Sequence, residues 1–269
     1  MLKPFILIAA IVLVSCNTNK SIHVYEGLDN NNRASFIVKT KCATYHYQKE
    51  AGGFSSIFDT NGIDWVQYKK SNEVIVPGSA DSDFRGLPNL VYKSEDGGAG
   101  HPGFDKVTST FIPPNTIKSV SKSGKWAWHW EFYDEYAELI IDQIDSETPY
   151  WFLYEGPVAG KFEPYRHFWG YNAAGKKDNQ PDLLKGEEVY TNIQTAYFGT
   201  EGYDQVFFVH QSQKDDFIDH FAYMGNSDLG IRAEDGMVVF GFGRDKGAQP
   251  LLYSKQRFKI GFMSNTTNQ

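Results

Sequence analysis

The strand-like stretch 125–134, KWAWHWEFYD, carries three side chains that can transfer protons. Its residues alternate strictly, so successive side chains point to opposite faces of a strand. One face carries Trp126, Trp128, Trp130 and Phe132. The other face carries Ala127, His129, Glu131 and Tyr133. A His, a Glu and a Tyr at two-residue spacing supply a base, a carboxylate that orients it and a phenolic acid. An ordinary polar outer face is the favoured alternative.

A glycine-rich stretch at 97–105, GGAGHPGFD, places His101 where the backbone can approach a ligand closely. Shortly upstream, residues 83–89 supply the guanidinium of Arg85 and the amide of Asn89. These are groups that bind and polarise an oxygen-rich ligand. A solvent-exposed histidine in a loop is the equally weighted alternative.

A second stretch, 161–170, interleaves cations with aromatic rings. Arg166 and His167 lie between Tyr165 and Trp169. An arginine can form a bidentate hydrogen bond with a carboxylate or sulfate while an aromatic ring stacks on a sugar, so the pattern suits an anionic carbohydrate. Cation–π packing of the loop on itself is the alternative, with equal weight.

These groups must be positioned by sheets, because aromatic residues make up 16% of the chain and favour strands. Short apolar or alternating runs, separated by Gly, Asn and Asp, predict many strands. The runs are 34–40, 43–48, 53–58, 64–68, 107–111, 116–122, 125–133, 136–144, 149–155, 193–198, 204–211, 236–242 and 251–262. Residues 60–62, Thr-Asn-Gly, predict a tight hairpin turn. Residues 214–222, with apolar side chains at helical spacing, predict one helix.

We therefore expect an all-β fold, a large antiparallel β-sandwich with two long functional loops. The loops are predicted at 73–105 and 156–188, which are rich in Gly, Pro and charge. Both contain too many aromatic anchors for disorder, so we expect ordered loops over one end or face of the sandwich.

The first residues predict export. A lysine, an apolar run over 5–15 and a terminal Cys16 follow the pattern of a leader, which is too short for a membrane span. Leu13-Val14-Ser15-Cys16 resembles the bacterial lipobox, which implies cleavage before Cys16 and acylation of that residue. We expect a signal peptide at 1–15, a lipid-anchor tether at 16–32 and a single β-sandwich catalytic domain at 33–269. Such a protein is anchored to the outer membrane and faces the periplasm or the cell surface.

Composition and missing motifs exclude several functions. The chain carries a net charge of −7, so nucleic acid is not an expected partner. The only cysteines are Cys16 and Cys42, which give no internal disulfide after acylation and no metal-ligand spacing. Phosphate-loop, dinucleotide, zinc-protease and serine-elbow motifs are absent from the sequence. We expect no cofactor and no metal. Paired carboxylates of a glycoside hydrolase stay possible, with Glu131, Glu155 and Glu163 as the candidates.

Two segments resemble a known family. Residues 52–66, GGFSSIFDTNGIDWV, resemble the opening hairpin of galactose-mutarotase-like super-sandwiches. Residues 150–156, YWFLYEG, together with the Arg166-His167 loop, resemble small secreted proteins of bacterial polysaccharide-utilisation loci. Within that group, size, lipobox and these segments are most similar to oligosaccharide dehydratases of ulvan degradation, relatives of uronate-acting polysaccharide lyases.

The resemblance implies β-elimination on a uronic acid in an anionic oligosaccharide. A base removes the proton at C5 and the group at C4 leaves, as water in a dehydratase or as a sugar in a lyase. The substrate carboxylate must be neutralised. The expected neutralisers are Arg85 and Arg166, with Trp169 and Asn89 also binding substrate. The expected bases are His101 and His167, with His129 in reserve. The expected acids are Tyr154 and Tyr165. A non-catalytic glycan-binding lipoprotein and a glycoside hydrolase are the alternatives.

Overall fold

The computed structural model describes residues 21–66, 87–92, 106–156, 162–163, 166–172, 187–224 and 237–265. These residues form antiparallel strands with one short 3₁₀ turn at Lys246–Ala248. The first strands are β1 His23–Leu28, β2 Ala34–Lys39, β3 Ala43–Gln48, β4 Gly53–Asp59, β5 Asn89–Val91, β6 Val107–Ile112, β7 Thr116–Ser121, β8 Ala127–Phe132, β9 Tyr136–Gln143 and β10 Trp151–Gly156. The remaining strands are β11 His167–Tyr171, β12 Val189–Thr191, β13 Thr195–Thr200, β14 Gln205–Gln211, β15 Asp219–Met224, β16 Met237–Phe242, β17 Arg244–Asp245, β18 Gln249–Pro250 and β19 Arg257–Ser264.

The strands form three main sheets and one ribbon. An eight-stranded sheet has the order β11-β13-β14-β19-β9-β8-β7-β6. A five-stranded sheet has the order β12-β15-β16-β10-β5, and a four-stranded sheet runs β1-β2-β3-β4. The strands β17 and β18 pair as a two-stranded ribbon. The expected all-β antiparallel architecture is confirmed.

Aromatic side chains join these sheets into two layers. Tyr154 of the five-stranded sheet contacts Phe198 of the eight-stranded sheet, with ring centroids 4.7 Å apart, and Phe152 stacks on Phe258 at 4.3 Å. Phe54 of the four-stranded sheet lies edge-on to Trp130, 4.8 Å away. The eight-stranded sheet is thus one layer, and the other two sheets pack side by side against it. Large rings fill this space because each covers much apolar area.

The alternation in β8 is confirmed. Trp126, Trp128, Trp130 and Phe132 are fully buried, whereas His129, Glu131 and Tyr133 are partly exposed. The turn at 60–62 is also confirmed, because the Asp59 carboxylate accepts the backbone N–H groups of Asn61 and Ile63 at 2.8 and 3.0 Å. The run 64–68 was expected to continue as a strand, but Asp64 forms only an isolated bridge with Phe58. Residues 67 and 68 lie outside the described residues.

The helix predicted over 214–222 is wrong. Asp219–Met224 forms β15, which pairs with β16, while Phe217 and Ile218 are 39% and 41% exposed. Sheet pairing of Phe221 with Phe240 outweighs the local helical spacing because it buries both rings. The run 251–262 is likewise only partly a strand, which begins at Arg257.

Besides β15, the strands β1, β5, β11, β12, β17 and β18 lie where none was predicted. β1 falls within the segment expected to be a tether, and it pairs with β2 over its whole length. The four-stranded sheet therefore begins ten residues before Arg33. β5 and β11 lie within the two segments expected to be loops, and each pairs with a neighbouring strand. β5 and β11 pair with strands that are distant in the sequence, which local patterns do not report. β1 pairs with the adjacent β2, and its largely exposed side chains carry no clear alternation.

Candidate functional site

The residues predicted from sequence fall into two groups. His101, Tyr165, Arg85 and Cys16 lie outside the described residues, and their roles stay predictions. His129, Arg166, His167, Tyr154, Trp169 and Asn89 are described, and the structure distributes them over several parts of the sandwich.

His129 lies on the outer face of the eight-stranded sheet in a row of hydrogen-bonded groups. Its Nδ1 is 2.9 Å from Oδ2 of Asp142 on the neighbouring strand. Its Nε2 is 3.6 Å from Glu131 Oε1, and Tyr133 donates its phenolic proton to Glu131 Oε2 at 2.5 Å. The row is the polar outer surface that was the favoured alternative, with its side chains bonded to one another.

Arg166 and His167 point to different environments although they are adjacent. Arg166 is exposed and forms an ion pair with Glu163 at 2.8 Å. His167 is 4% exposed, and its Nδ1 accepts the backbone N–H of Glu163 at 2.9 Å. Two residues further along β11, Trp169 packs on Phe221 between the sheets, with ring centroids 4.5 Å apart. Trp169 is therefore part of the core, which corrects its assignment as a substrate-stacking ring.

Tyr154 and Asn89 have structural environments as well. Tyr154 is fully buried among Phe198 and Phe207, and its hydroxyl donates to the Trp65 carbonyl at 2.9 Å. Burial raises the pKa of Tyr154 well above its ordinary value. The Asn89 amide donates to the Gly52 carbonyl at 2.9 Å and joins two sheets. The described geometry thus gives both residues a packing role and does not bring them to His129 or His167.

A different cluster lies on the outer face of the five-stranded sheet. Strand pairing aligns Tyr190 of β12, His220 of β15 and Gly241 of β16 in one row. Because Phe221 and Phe240 point inward to the core, this row points outward. Arg244, from the ribbon that follows β16, lies across the same face. His220 is 2% exposed and Arg244 is 8% exposed, which is unusual for charged or titratable side chains.

Two glycines allow Arg244 to reach this face. A Cβ atom at Gly241 would lie 2.5 Å from Trp151 Cε3 and 2.8 Å from Cβ and Cδ of Arg244. The absent side chain leaves a channel that the arginine fills, with its guanidinium carbon 4.9 Å from the centre of the Trp151 ring. Gly243 has φ +63°, the left-handed conformation that turns the chain into the ribbon.

Arg244 and His220 are hydrogen-bonded, and their electrostatics follow from burial. The Arg244 Nη1 donates to His220 Nδ1, so Nδ1 is an acceptor and the neutral ring carries its proton on Nε2. Burial, with a further contribution from Arg244, lowers the pKa of His220 to about 3. Burial also lowers the pKa of Arg244, although Glu155 and Glu188 oppose this effect. His220 is therefore a neutral hydrogen-bond donor near pH 7.

Glu188 and Tyr190 complete the cluster at its solvent side. The Tyr190 ring stacks on the His220 ring at 4.2 Å, nearly parallel, and its hydroxyl donates to Glu188 Oε2. Glu188 Oε1 is 3.5 Å from His220 Nε2. Burial and this hydrogen bond raise the pKa of Tyr190 to about 12, so the phenol is protonated. Lys246 lies over the Tyr190 ring at 5.4 Å.

The cluster retains unused hydrogen-bonding capacity. Among the described residues, neither Nε of Arg244 nor Nε2 of His220 has a hydrogen-bond partner, although both atoms are buried. Buried polar groups are normally paired, so these two donors on one face are candidates for binding a ligand. The arrangement can bind a carboxylate, donate a proton from Tyr190 and accept one on Glu188.

Sequence reasoning did not find this cluster. His220 lay in the predicted helix, and Glu155 was named only as one of three glycosidase carboxylates. The available signal was the run 239–244, VFGFGR, in which two glycines precede an arginine after a buried strand. Within the described part of the chain, no group of three or more His, Cys, Asp or Glu side chains could hold a metal ion. A helix long and apolar enough to span a membrane is also absent from those residues.

Comparison with known proteins gives structural matches at low identity. No protein-family model matches the chain, and no curated protein matches it. The crystal structure of HI1317 is 10% identical, covers 91% of this chain and 97% of its own, and has a TM-score of 0.55. A galactose mutarotase related enzyme from Lactobacillus acidophilus is 8% identical over 91% and 99% of the two chains, with a TM-score of 0.48. A heparan sulfate lyase HepC mutant from Pedobacter heparinus is 10% identical over 92% of this chain and 36% of that one, with a TM-score of 0.42.

At these identities the likeness concerns the fold alone. Galactose-mutarotase-like proteins are among the structural neighbours of this sandwich. The catalytic residues and the substrate have to be argued from the chain's own geometry.

Proposed function

We propose that the protein is a carbohydrate-active carbon-oxygen lyase that catalyses β-elimination on uronic-acid-containing oligosaccharides. The observation that carries the proposal is the buried guanidinium of Arg244, which keeps an unpaired Nε beside the neutral donor His220. A fixed cation with a free donor in a water-poor position fits the carboxylate of a uronic acid. Arg244 supplies the neutralising charge that the sequence had suggested for Arg85 and Arg166.

The reaction begins with charge neutralisation at the substrate carboxylate. Removal of the C5 proton leaves negative charge that spreads into the carboxylate, so cationic and N–H donors at that group lower the barrier. Arg244 supplies the cation. His220 supplies a neutral N–H at Nε2, and its low pKa prevents it from acting as a base near pH 7.

Proton transfer then falls to the Glu188–Tyr190 pair. Glu188 accepts the proton from C5, and the C5–H electrons form the C4=C5 double bond as the C4–O bond breaks. Tyr190 gives its phenolic proton to the departing oxygen. The proton that Glu188 took from C5 then passes to the Tyr190 phenolate along the hydrogen bond that joins them, which restores both groups. Water leaves if C4 carries a hydroxyl, and a sugar leaves if C4 carries a glycosidic bond.

The proposal includes the cellular placement expected from the leader. Acylation of Cys16 holds the domain on the outer membrane, where anionic oligosaccharides are met, and the chemistry requires no cofactor. Growth with radiolabelled palmitate tests this placement, because the Cys16→Ser variant is expected to lose the label. Label retained in that variant contradicts the anchor.

Arg244→Gln and Arg166→Gln form a matched pair for the catalytic proposal. Full-length protein is mixed with uronate oligosaccharides, and the ultraviolet absorbance of the unsaturated uronate is followed with time. Arg244→Gln is expected to lose about tenfold to a hundredfold in kcat/KM, since it removes a charge-assisted interaction of about 1.5–3 kcal/mol. Arg166→Gln is expected to stay within about threefold of wild type, because its exposed guanidinium pairs with Glu163.

Three outcomes oppose the proposal. Oligosaccharide binding without absorbance indicates a glycan-binding lipoprotein. New reducing ends without absorbance indicate a glycoside hydrolase. Equal activity in the two arginine variants shows that Arg244 is not the neutralising residue.

A further inference from the structure

Asp219 joins the separate segments that carry the cluster. It is fully buried at the start of β15, immediately before His220. Its Oδ1 accepts the backbone N–H of Gly243 at 2.8 Å, and its Oδ2 accepts that of Ile193 at 2.6 Å. Gly243 precedes Arg244, and Ile193 lies two residues after the strand that carries Tyr190.

We propose that Asp219 is a positioning residue that makes the Tyr190–His220–Arg244 cluster depend on proton concentration in the neutral range. One carboxylate accepts an N–H from each of the two segments that flank its neighbour His220. As an anion it accepts both bonds. When protonated, one of its oxygens carries a hydrogen that faces an N–H donor, so one of the two anchors weakens.

The surroundings of Asp219 place this change near neutrality. Burial is the main cause that raises its pKa to about 7, the two backbone hydrogen bonds lower it, and Asp215 raises it. Asp215 is held by Gln211 of β14 at 2.7 Å. The charged or titratable groups on the surrounding elements are Lys214, Asp215, Asp216, His220, Glu188, Tyr190, Arg244, Asp245, Lys246 and Tyr150. His220 and Tyr190, with pKa values of about 3 and about 12, do not change charge in this range.

The ionised carboxylate of Asp219 is therefore the form that holds the Tyr190–His220–Arg244 cluster in place. Above about pH 7 both anchors hold, so Arg244 and Tyr190 keep their positions on either side of His220. Below pH 7 a growing fraction of molecules has one loosened segment. The consequence for turnover rests on the proposed function, and predicts kcat about tenfold lower at pH 6 than at pH 8.

The test uses nuclear magnetic resonance of the ¹⁵N-labelled full-length chain and does not require turnover. The backbone amides of Ile193 and Gly243 and the ring nitrogens of His220 are followed from about pH 5.5 to about pH 9. We expect all of them to shift with one midpoint of about 7, while the His220 ring stays neutral. The midpoint should vanish in Asp219→Asn and persist in Asp216→Asn, a change at an exposed neighbour.

The wild-type titration tests the role of Asp219 even if Asp219→Asn does not fold. Flat shifts at Ile193 and Gly243, or shifts there without a response at His220, overturn the proposal, as does a midpoint that persists in Asp219→Asn. A preserved resonance midpoint in a protein that forms no unsaturated product refutes the proposed function and leaves the role of Asp219 intact.

Discussion

The substitution Gly241→Ala tests whether the channel for Arg244 is essential. The added Cβ would lie 2.5 Å from Trp151 and 2.8 Å from two carbons of Arg244, closer than side-chain carbons approach one another. Overpacking of this kind costs about 1–3 kcal/mol. Alanine offsets about 0.5 kcal/mol of that cost, because it restricts the unfolded chain more than glycine does.

The expected net loss of stability is about 0.5–2.5 kcal/mol. For a domain of this size, it corresponds to a fall in Tm of about 1–10 °C. The more specific effect is on kcat/KM for the oligosaccharide. If Arg244 leaves the face, its charge-assisted hydrogen bonds of about 1.5–3 kcal/mol are lost, which is about tenfold to a hundredfold in kcat/KM. Differential scanning calorimetry measures the first effect and the absorbance assay measures the second.

Gly199→Ala is the matched control. A Cβ there would lie 2.1 Å from Cζ of Phe168, so it produces a comparable clash on the eight-stranded sheet. It should lower Tm while leaving kcat/KM within about twofold of wild type. The reasoning is refuted if Gly241→Ala keeps its kcat/KM, or if Gly199→Ala loses as much.

Three further predictions concern stability. Tyr47→Phe removes the hydroxyl that accepts the buried Trp128 N–H at 3.2 Å, so urea denaturation should show a loss of about 1–3 kcal/mol; a loss below about 0.5 kcal/mol contradicts the network. Asp59→Ala removes the acceptor of the Trp65 indole at 3.1 Å and of two turn amides, so it should cost about 2–4 kcal/mol, and Asp59→Asn less. The folded pKa of His220, about 3, lies below its ordinary value of 6.5, so its contribution to stability is complete above pH 6.5 and is lost as pH falls toward 3. Between about pH 8 and pH 4.5 the free energy of unfolding of the wild type should therefore fall by about 1–2 kcal/mol more than that of His220→Gln, with solvent screening taken into account. Equal decreases in the two proteins refute the lowered pKa of His220.

Local patterns predicted much of the sheet structure because alternation is a property of a single strand. The faces of β8 and the bounds of β3 could be read directly, since the aromatic side chains there alternate toward the face that packs against the opposite sheet. The same reasoning failed at β15, where the spacing of Phe217, Ile218 and Phe221 imitates a helix. It also failed at β1, whose side chains are largely exposed and carry little alternation.

The sequence by itself determined the class of the fold, and it suggested which chemistry to test. Aromatic content, short alternating runs and turn residues specify an antiparallel sandwich, since these act over a few residues. The tertiary structure decided where chemistry is possible. His220 and Arg244 meet only because β15 pairs with β16 and because Gly241 leaves space above that pair. The low pKa of His220 arises from burial by the assembled sheets and from Arg244, and no local pattern of residues contains that information.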